Sequence, residues 1–260
     1  MMDSAAVQEL NRWGRSADES LLQSIFRRAY HSWFRVEWEG LENVPRTGGA
    51  LLVSNHAGML PVDGGIIQVG IEEEVGRKVY MLAHHGFFKF PFFGSTLERN
   101  GAVVGHPDNA HRLLQEDQYL VVVFPEGAKG PFKPPSERYR LQRFGRGGFV
   151  ETAMRAGVPI VPIVLVGTED ATPAVAQLRV AGYDFPLTLN SLMLGPILGI
   201  FAPFPVKIRG RVLTPMQWDE PPNLDTYSRS LVMDRAEDIR ASMQEALNIL
   251  VHNRKSIWRG

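Results

Sequence analysis

Short apolar runs and longer mixed segments alternate along most of this chain. Residues 50–53, 79–82, 102–104, 120–124, 160–166 and 206–212 are aliphatic or β-branched runs bounded by turn residues, the pattern of buried strands. Between them, residues 65–74, 109–116 and 147–156 carry helix-like patterns. Strands that alternate with helices predict an α/β fold, a mainly parallel sheet covered by helices. Residues 226–251 read as a long helix closing one face of that sheet.

Ahead of the first strand, residues 16–34 predict an N-terminal amphipathic helix. Ser16 and Glu19 match the S-x-x-E capping box, in which each side chain satisfies an amide that the helix leaves open. Leu22, Ile25, Phe26, Ala29, Tyr30 and Trp33 recur at helical spacing, and Arg27 and Arg28 lie off that stripe. Two readings fit this helix. Its stripe packs against its own domain, or it lies on anionic lipid with aromatic residues at the boundary and arginines toward headgroups. The clustering of Trp13, Trp33 and Trp38 gives the second reading equal weight. The chain therefore divides into a helical segment, 1–40, and one α/β domain, 41–260.

One uncharged run, residues 185–206, reaches the roughly 20 residues that a membrane-spanning helix needs. Pro186, Pro196, Pro203, Pro205, Gly195 and Gly199 interrupt it, and each weakens a helix. It predicts a broken apolar surface, facing a bilayer or packed on the domain's own core. The first residues carry Asp3, Glu9, Arg12 and Arg15 without a continuous apolar stretch, which excludes a secretory signal.

Composition narrows the function classes. The 260 residues suffice for one sizeable core, and 44% apolar content is that of a folded globule. Lysine plus arginine (28) equals aspartate plus glutamate (28), so no global field favours nucleic acid, and attraction to a membrane must come from local clusters. There is no cysteine, which excludes a thiol nucleophile, disulfides and thiolate metal sites and fits a reducing compartment.

Two segments carry candidate chemistry. SNHAGMLPVDGG, residues 54–65, follows the run at 50–53, so His56 falls just past a strand's carboxyl end, where open α/β sheets place ligands. A histidine there can take a proton from a hydroxyl, and it needs a partner to orient its second nitrogen. Asp63 is the nearest carboxylate in sequence. On its own, this pair reads equally as a core histidine and a helix-start aspartate. VVVFPEGAKG, residues 121–130, likewise puts Glu126 and Gly127 past a strand end, where glycine lets backbone approach a ligand. Taken alone, it could be a plain turn.

Together the segments say more. An Asn-His with Asp63 beyond it, Phe124-Pro125-Glu126-Gly127 some seventy residues later, and the strand at 158–163 resemble the glycerolipid acyltransferase family, whose type member acylates lysophosphatidic acid. The resemblance runs from about residue 48 to 167. It implies that His56 is the catalytic base with Asp63 as its motif partner, and that Glu126 and Gly127 bind the acceptor. It also implies direct transfer from acyl-CoA or acyl carrier protein to a lysolipid acceptor, with no metal or redox cofactor. The aromatic-basic helix at 16–34 and the broken run at 185–206 separately predict a peripheral protein on the cytoplasmic face of a membrane. Two departures stand out. Six residues, not four, separate His56 from Asp63, so the chain must fold back, with Gly58 as a turn and Pro61 in a helix's first turn. The family's phosphate-binding arginine is missing from residues 101–109, where Arg99 or His106 lies nearby.

The loop after residue 127 offers other cations, Lys129, Lys133, Arg138, Arg140, Arg143 and Arg146, of which one or two could hold a phosphate of coenzyme A or of a phospholipid. His84 and His85 are adjacent and point apart, with no acidic partner at ligand spacing, so no metal site is expected. Three functions remain in play: an acyltransferase acting on lysophosphatidic acid or on a neutral mono- or diacylglycerol, a lipid hydrolase using the same pair, and a catalytically silent lipid-binding protein.

Overall fold

The computed structural model describes residues 10–58, 62–89, 92–180, 183–196, 198–222 and 227–259. Its strands are β1 (Glu37–Glu39), β2 (Ala50–Ser54), β3 (Val79–Ala83), β4 (Ala102–Val104), β5 (Leu120–Val123), β6 (Ile160–Val166), β7 (Ala174–Val180), β8 (Tyr183–Thr188) and β9 (Arg209–Val212). Its helices are α1 (Leu21–Arg28), α2 (Val62–Glu74), α3 (Phe93–Arg99), α4 (Pro107–His111), α5 (Gly148–Ala156), α6 (Thr168–Ala171), α7 (Leu189–Leu194), α8 (Leu198–Phe201) and α9 (Arg229–His252).

Among the described residues, seven strands form one sheet in the order β1-β9-β6-β2-β5-β3-β4. The central strands β6, β2, β5, β3 and β4 run parallel, and β9 joins β6 antiparallel. The sheet is mainly parallel and helix-covered, as the alternation predicts. Side chains of successive strand residues point to opposite faces, which divides the core in two. Leu51, Val53, Val121 and Val164 pack with α5 and α9 on one face. Ala50, Leu52, Val122 and Ile163 pack with α2, Tyr30 and Phe34 on the other. Burial on both faces explains why these strands read as unbroken apolar runs.

The N-terminal segment differs in detail from its pattern. The capping box is Ser20 with Gln23, not Ser16 with Glu19. Ser16 is buried in a bridge to Leu10, and its amide donates to the Arg99 carbonyl, so the helix starts later. Glu19 instead pairs with Arg27. The stripe splits as well: Tyr30 joins the core with Phe26 and Ala29 packed against it, whereas Leu22, Ile25 and Trp33 stay exposed. Trp13 and Trp38 do not gather at the surface. The indole of Trp13 donates to Asp117 at 2.6 Å and that of Trp38 to the Tyr30 hydroxyl at 2.8 Å. Only Trp33 of the three is exposed. Residues 37–39, within the segment read as helical, form edge strand β1.

The run at 185–206 becomes the end of hairpin β7–β8 followed by the short helices α7 and α8. No helix among the described residues is long and apolar enough to cross a membrane. The long C-terminal helix is α9, Arg229–His252; Thr226, where the pattern places its start, lies outside the described residues.

Candidate active site

β2 and β5 are parallel neighbours with Val53 opposite Val123. His56 and Glu126 each stand three residues beyond that matched pair, so their loops leave the same sheet edge side by side. Asn55 pins the first loop to the strand on its other side. Its Oδ1 accepts from the Leu165 amide at 2.8 Å, and its Nδ2 donates to the Leu165 carbonyl at 3.0 Å. The side chain thus substitutes for backbone pairing just where β2 ends. The sequence motif includes Asn55 without giving it a role; the signal for one is an amide side chain directly between an apolar run and the histidine.

The chain does fold back from His56 to Asp63. Gly58, at φ +74°, takes the left-handed conformation that favours glycine. α2 then begins at Val62 and places Asp63 in its first turn, fully buried. Pro61, expected in that turn, lies outside the described residues. Asp63 Oδ2 stands 2.6 Å from His56 Nδ1 and also accepts the Ala57 amide at 2.9 Å, while Oδ1 accepts the Gly64 amide at 2.8 Å. A carboxylate can only accept, so Nδ1 carries the hydrogen, by assignment from this network, and Nε2 keeps its lone pair. The imidazole stacks on Phe124 with centroids 4.5 Å apart.

Glu126 turns inward. It is 4% exposed, and its two oxygens accept the amides of His56 at 3.1 Å and Gln142 at 2.7 Å. The expectation that its carboxylate lines an acceptor's head gives way to a positioning role, tying the His56 loop to the loop at 142. Gly127 beside it is exposed at φ +56° with open space around its Cβ position. Gly130 was also passed over: a Cβ there would stand 2.8 Å from the His56 carbonyl.

A family model described as Acyltransferase matches residues 35–166, half of the chain, spanning β1 to the end of β6. This chain belongs to the acyltransferase family. An uncharacterised protein of Mycobacterium tuberculosis (strain ATCC 25618 / H37Rv) is 36% identical over 250 residues, covering 94% of this acyltransferase and 69% of that protein. The Bos taurus DGAT1/2-independent enzyme synthesizing storage lipids is 27% identical over 187 residues, 72% of this chain and 54% of its own length. In fold, the acyltransferase is similar to the crystal structure of the 1-acyl-sn-glycerophosphate (LPA) acyltransferase PlsC from Thermotoga maritima. That match has a TM-score of 0.51 at 18% identity and covers 86% of this chain and 78% of that one.

Electrostatics poise the acyltransferase's histidine. Burial disfavours the charged imidazole, but the charge and hydrogen bond of Asp63, joined by the charge of Glu126, outweigh it and hold the His56 pKa above its ordinary value. Lys133 pulls it back. Burial likewise raises Glu126, against Lys133 and the two amides. In the base role that the resemblance implies, His56 must be neutral, so activity is expected to fall as pH drops through its pKa. The acid limb of the kcat/KM profile should therefore lie above the usual histidine value of about 6.5. A limb at or below it in a pH-rate series would show that Asp63 does not dominate.

The other expected ligands separate. β4 runs parallel to β2 by way of β3 and β5, and Arg99 ends the helix that leads into β4. It lies toward the sheet's amino edge, opposite the His56 edge, and the structure does not bring it to the site. His106 follows β4 on the correct edge but caps α4, accepting the Asp108 amide. Lys129 and Arg146 are exposed on loops at the His56 edge. Lys133 is buried and pairs with Glu169 at 2.5 Å. It helps to line a cleft of about 60 Å³ with Ala57, Gly58, Gly130, Pro186 and Thr188, directly beside the His56 loop. No cluster of three or more acidic or histidine residues suited to a metal occurs among the described residues.

Proposed function

We propose that this acyltransferase moves a fatty acyl group from acyl-CoA or an acyl carrier protein to a lipid hydroxyl, with His56 as general base. The observation that carries the reading is the 2.6 Å contact between His56 Nδ1 and a fully buried Asp63, which leaves Nε2 as the basic atom. Nε2 takes the acceptor's hydroxyl proton as the oxygen attacks the thioester carbonyl. The C–O bond forms, the C–S bond breaks, and the imidazolium returns its proton to the departing thiolate. Asp63 fixes the tautomer and stabilises the imidazolium, and Glu126 holds the loop. A thioester is already activated, so neither metal nor redox cofactor enters the reaction. The exposed Lys129 and Arg146 are suited to the donor's phosphates, and Gly127 leaves room for substrate beside them. The family resemblance implies a lysophospholipid acceptor such as lysophosphatidic acid; a mono- or diacylglycerol is the alternative. Labelled acyl-CoA incubated with purified protein and either acceptor should place label in the acylated lipid. Label appearing only as free fatty acid would instead establish the hydrolase.

The same proposal includes peripheral attachment at the cytoplasmic face of a membrane. Leu192, Met193, Leu198 and Phe201 of α7 and α8 are all exposed. The Trp33 indole donates to the Pro203 carbonyl at 3.0 Å, which joins that face to the exposed side of α1. Pro186 and Thr188 line the cleft, and α7 follows at once, so the apolar face adjoins the site. The protein should sediment with anionic vesicles, and salt should weaken binding without abolishing it, because apolar insertion is not screened. Leu192→Ser with Leu198→Ser should reduce the bound fraction. A parent protein wholly soluble beside vesicles would refute the attachment.

A further inference from the structure

The two cations that line the cleft beside the His56 loop are each paired with a carboxylate. Lys133, 8% exposed, stands 2.5 Å from Glu169 Oε1 and donates to the Arg140 carbonyl at 3.3 Å. Glu169 is held from its other side, where its Oε2 accepts the Tyr139 amide at 2.9 Å. Arg138, the second cation in the cleft wall, pairs with buried Asp170, which Arg254 also engages and to which the Tyr139 hydroxyl donates at 2.6 Å. Both cleft cations therefore carry an acidic partner from the two consecutive residues Glu169 and Asp170 that open α6 past the end of β6. The remaining lining is largely proline and small side chains, including Pro131, Pro134, Pro135, Pro173, Ala57 and Gly58. A phosphate entering such a cleft loses its water and meets a buried lysine already neutralised by Glu169, while Arg138, which shares Asp170 with Arg254, is 43% exposed and offers only a solvent-screened charge. A hydroxyl loses far less.

We propose that Glu169 is a specificity-determining residue: by neutralising Lys133 in the wall of the cleft beside His56, it makes that cleft select an uncharged glyceride hydroxyl over a phosphate-bearing acceptor. The inference rests on the acyl-transfer reading and narrows its substrate class. The position of Lys133 also bears on His56 itself, whose protonation its charge opposes. That influence acts equally on every acceptor, so the ratio of kcat/KM between two acceptors isolates selectivity from base strength.

The test uses the full chain with labelled acyl-CoA, and monoacylglycerol or lysophosphatidic acid of the same chain length in neutral detergent micelles. The parent should favour monoacylglycerol by roughly tenfold or more, the scale of one charged-group hydrogen bond. Glu169→Gln releases Lys133 and should shift the ratio toward lysophosphatidic acid by a similar factor. Because an unpaired buried lysine can prevent folding, a second variant, Lys133→Met with Glu169→Leu, removes both charges and should keep the parental ratio. A parent that prefers lysophosphatidic acid, a folded Glu169→Gln with an unmoved ratio, or a double variant that selectively loses the phosphorylated acceptor would each overturn the inference while leaving acyl transfer intact. Absence of transfer to both acceptors by folded parent would instead sink the acyl-transfer reading, and this inference with it.

Discussion

Replacing His56 with alanine is expected to lower the acyl-transfer rate by roughly 10²–10⁴-fold, the usual loss on removal of a general base. Folding should survive. The imidazole is 21% exposed, and Asp63 keeps the Ala57 and Gly64 amides when the ring is gone. The amide of residue 56 that Glu126 holds is backbone and remains too. The loss should therefore appear in kcat with an unchanged thermal midpoint. Transfer within about tenfold of the parent would remove His56 from the chemistry and leave the lipid-binding reading standing.

Asp63→Asn is expected to cost roughly 10²-fold or more, by a different route. The substitution preserves shape, and with its NH₂ in the place of Oδ2 the amide oxygen can still accept from Gly64 while the Ala57 amide loses its acceptor. Its NH₂ group, however, would meet His56 Nδ1 as a donor. The ring would then have to accept there and carry its hydrogen on Nε2, the atom that must be bare. Loss of the negative charge also removes the largest influence favouring the imidazolium, so any residual activity should have its acid limb moved to lower pH. Activity near the parent's would show that Asp63 serves only to start α2. Comparison of the two variants separates base from orienting group: both lower kcat, but only Asp63→Asn retains a limb that moves.

The family assignment could be read from the sequence because each motif follows an apolar run. A run such as 50–53 specifies a strand whatever its neighbours, and the loop that leaves a parallel strand has only one edge to emerge from. That alone puts His56 and Glu126 on one rim. The order of alternating elements similarly fixed the sheet as mainly parallel. Residues near in sequence could be argued further: Gly58 predicted the turn that returns Asp63 to His56, because seven residues of continuous helix would hold them about 10 Å apart.

Tertiary structure alone decided where long-range partners meet. Ser16 is the helix start that the local pattern offers, and the bond from its amide to the Arg99 carbonyl, eighty-odd residues away, moves the start to Ser20. Arg99 and Lys129 look alike as nearby cations, yet strand direction sends one to the far edge of the sheet. Whether Glu126 faces substrate or backbone depends on Gln142 reaching it from another loop. Lys133 reads as one of six cations in a solvated loop until Glu169, from beyond β6, closes on it. Charge and periodicity are local properties that a single stretch of chain displays by itself. Pairing is a property of two stretches, and only packing of the sheet and its loops brings the second one into contact.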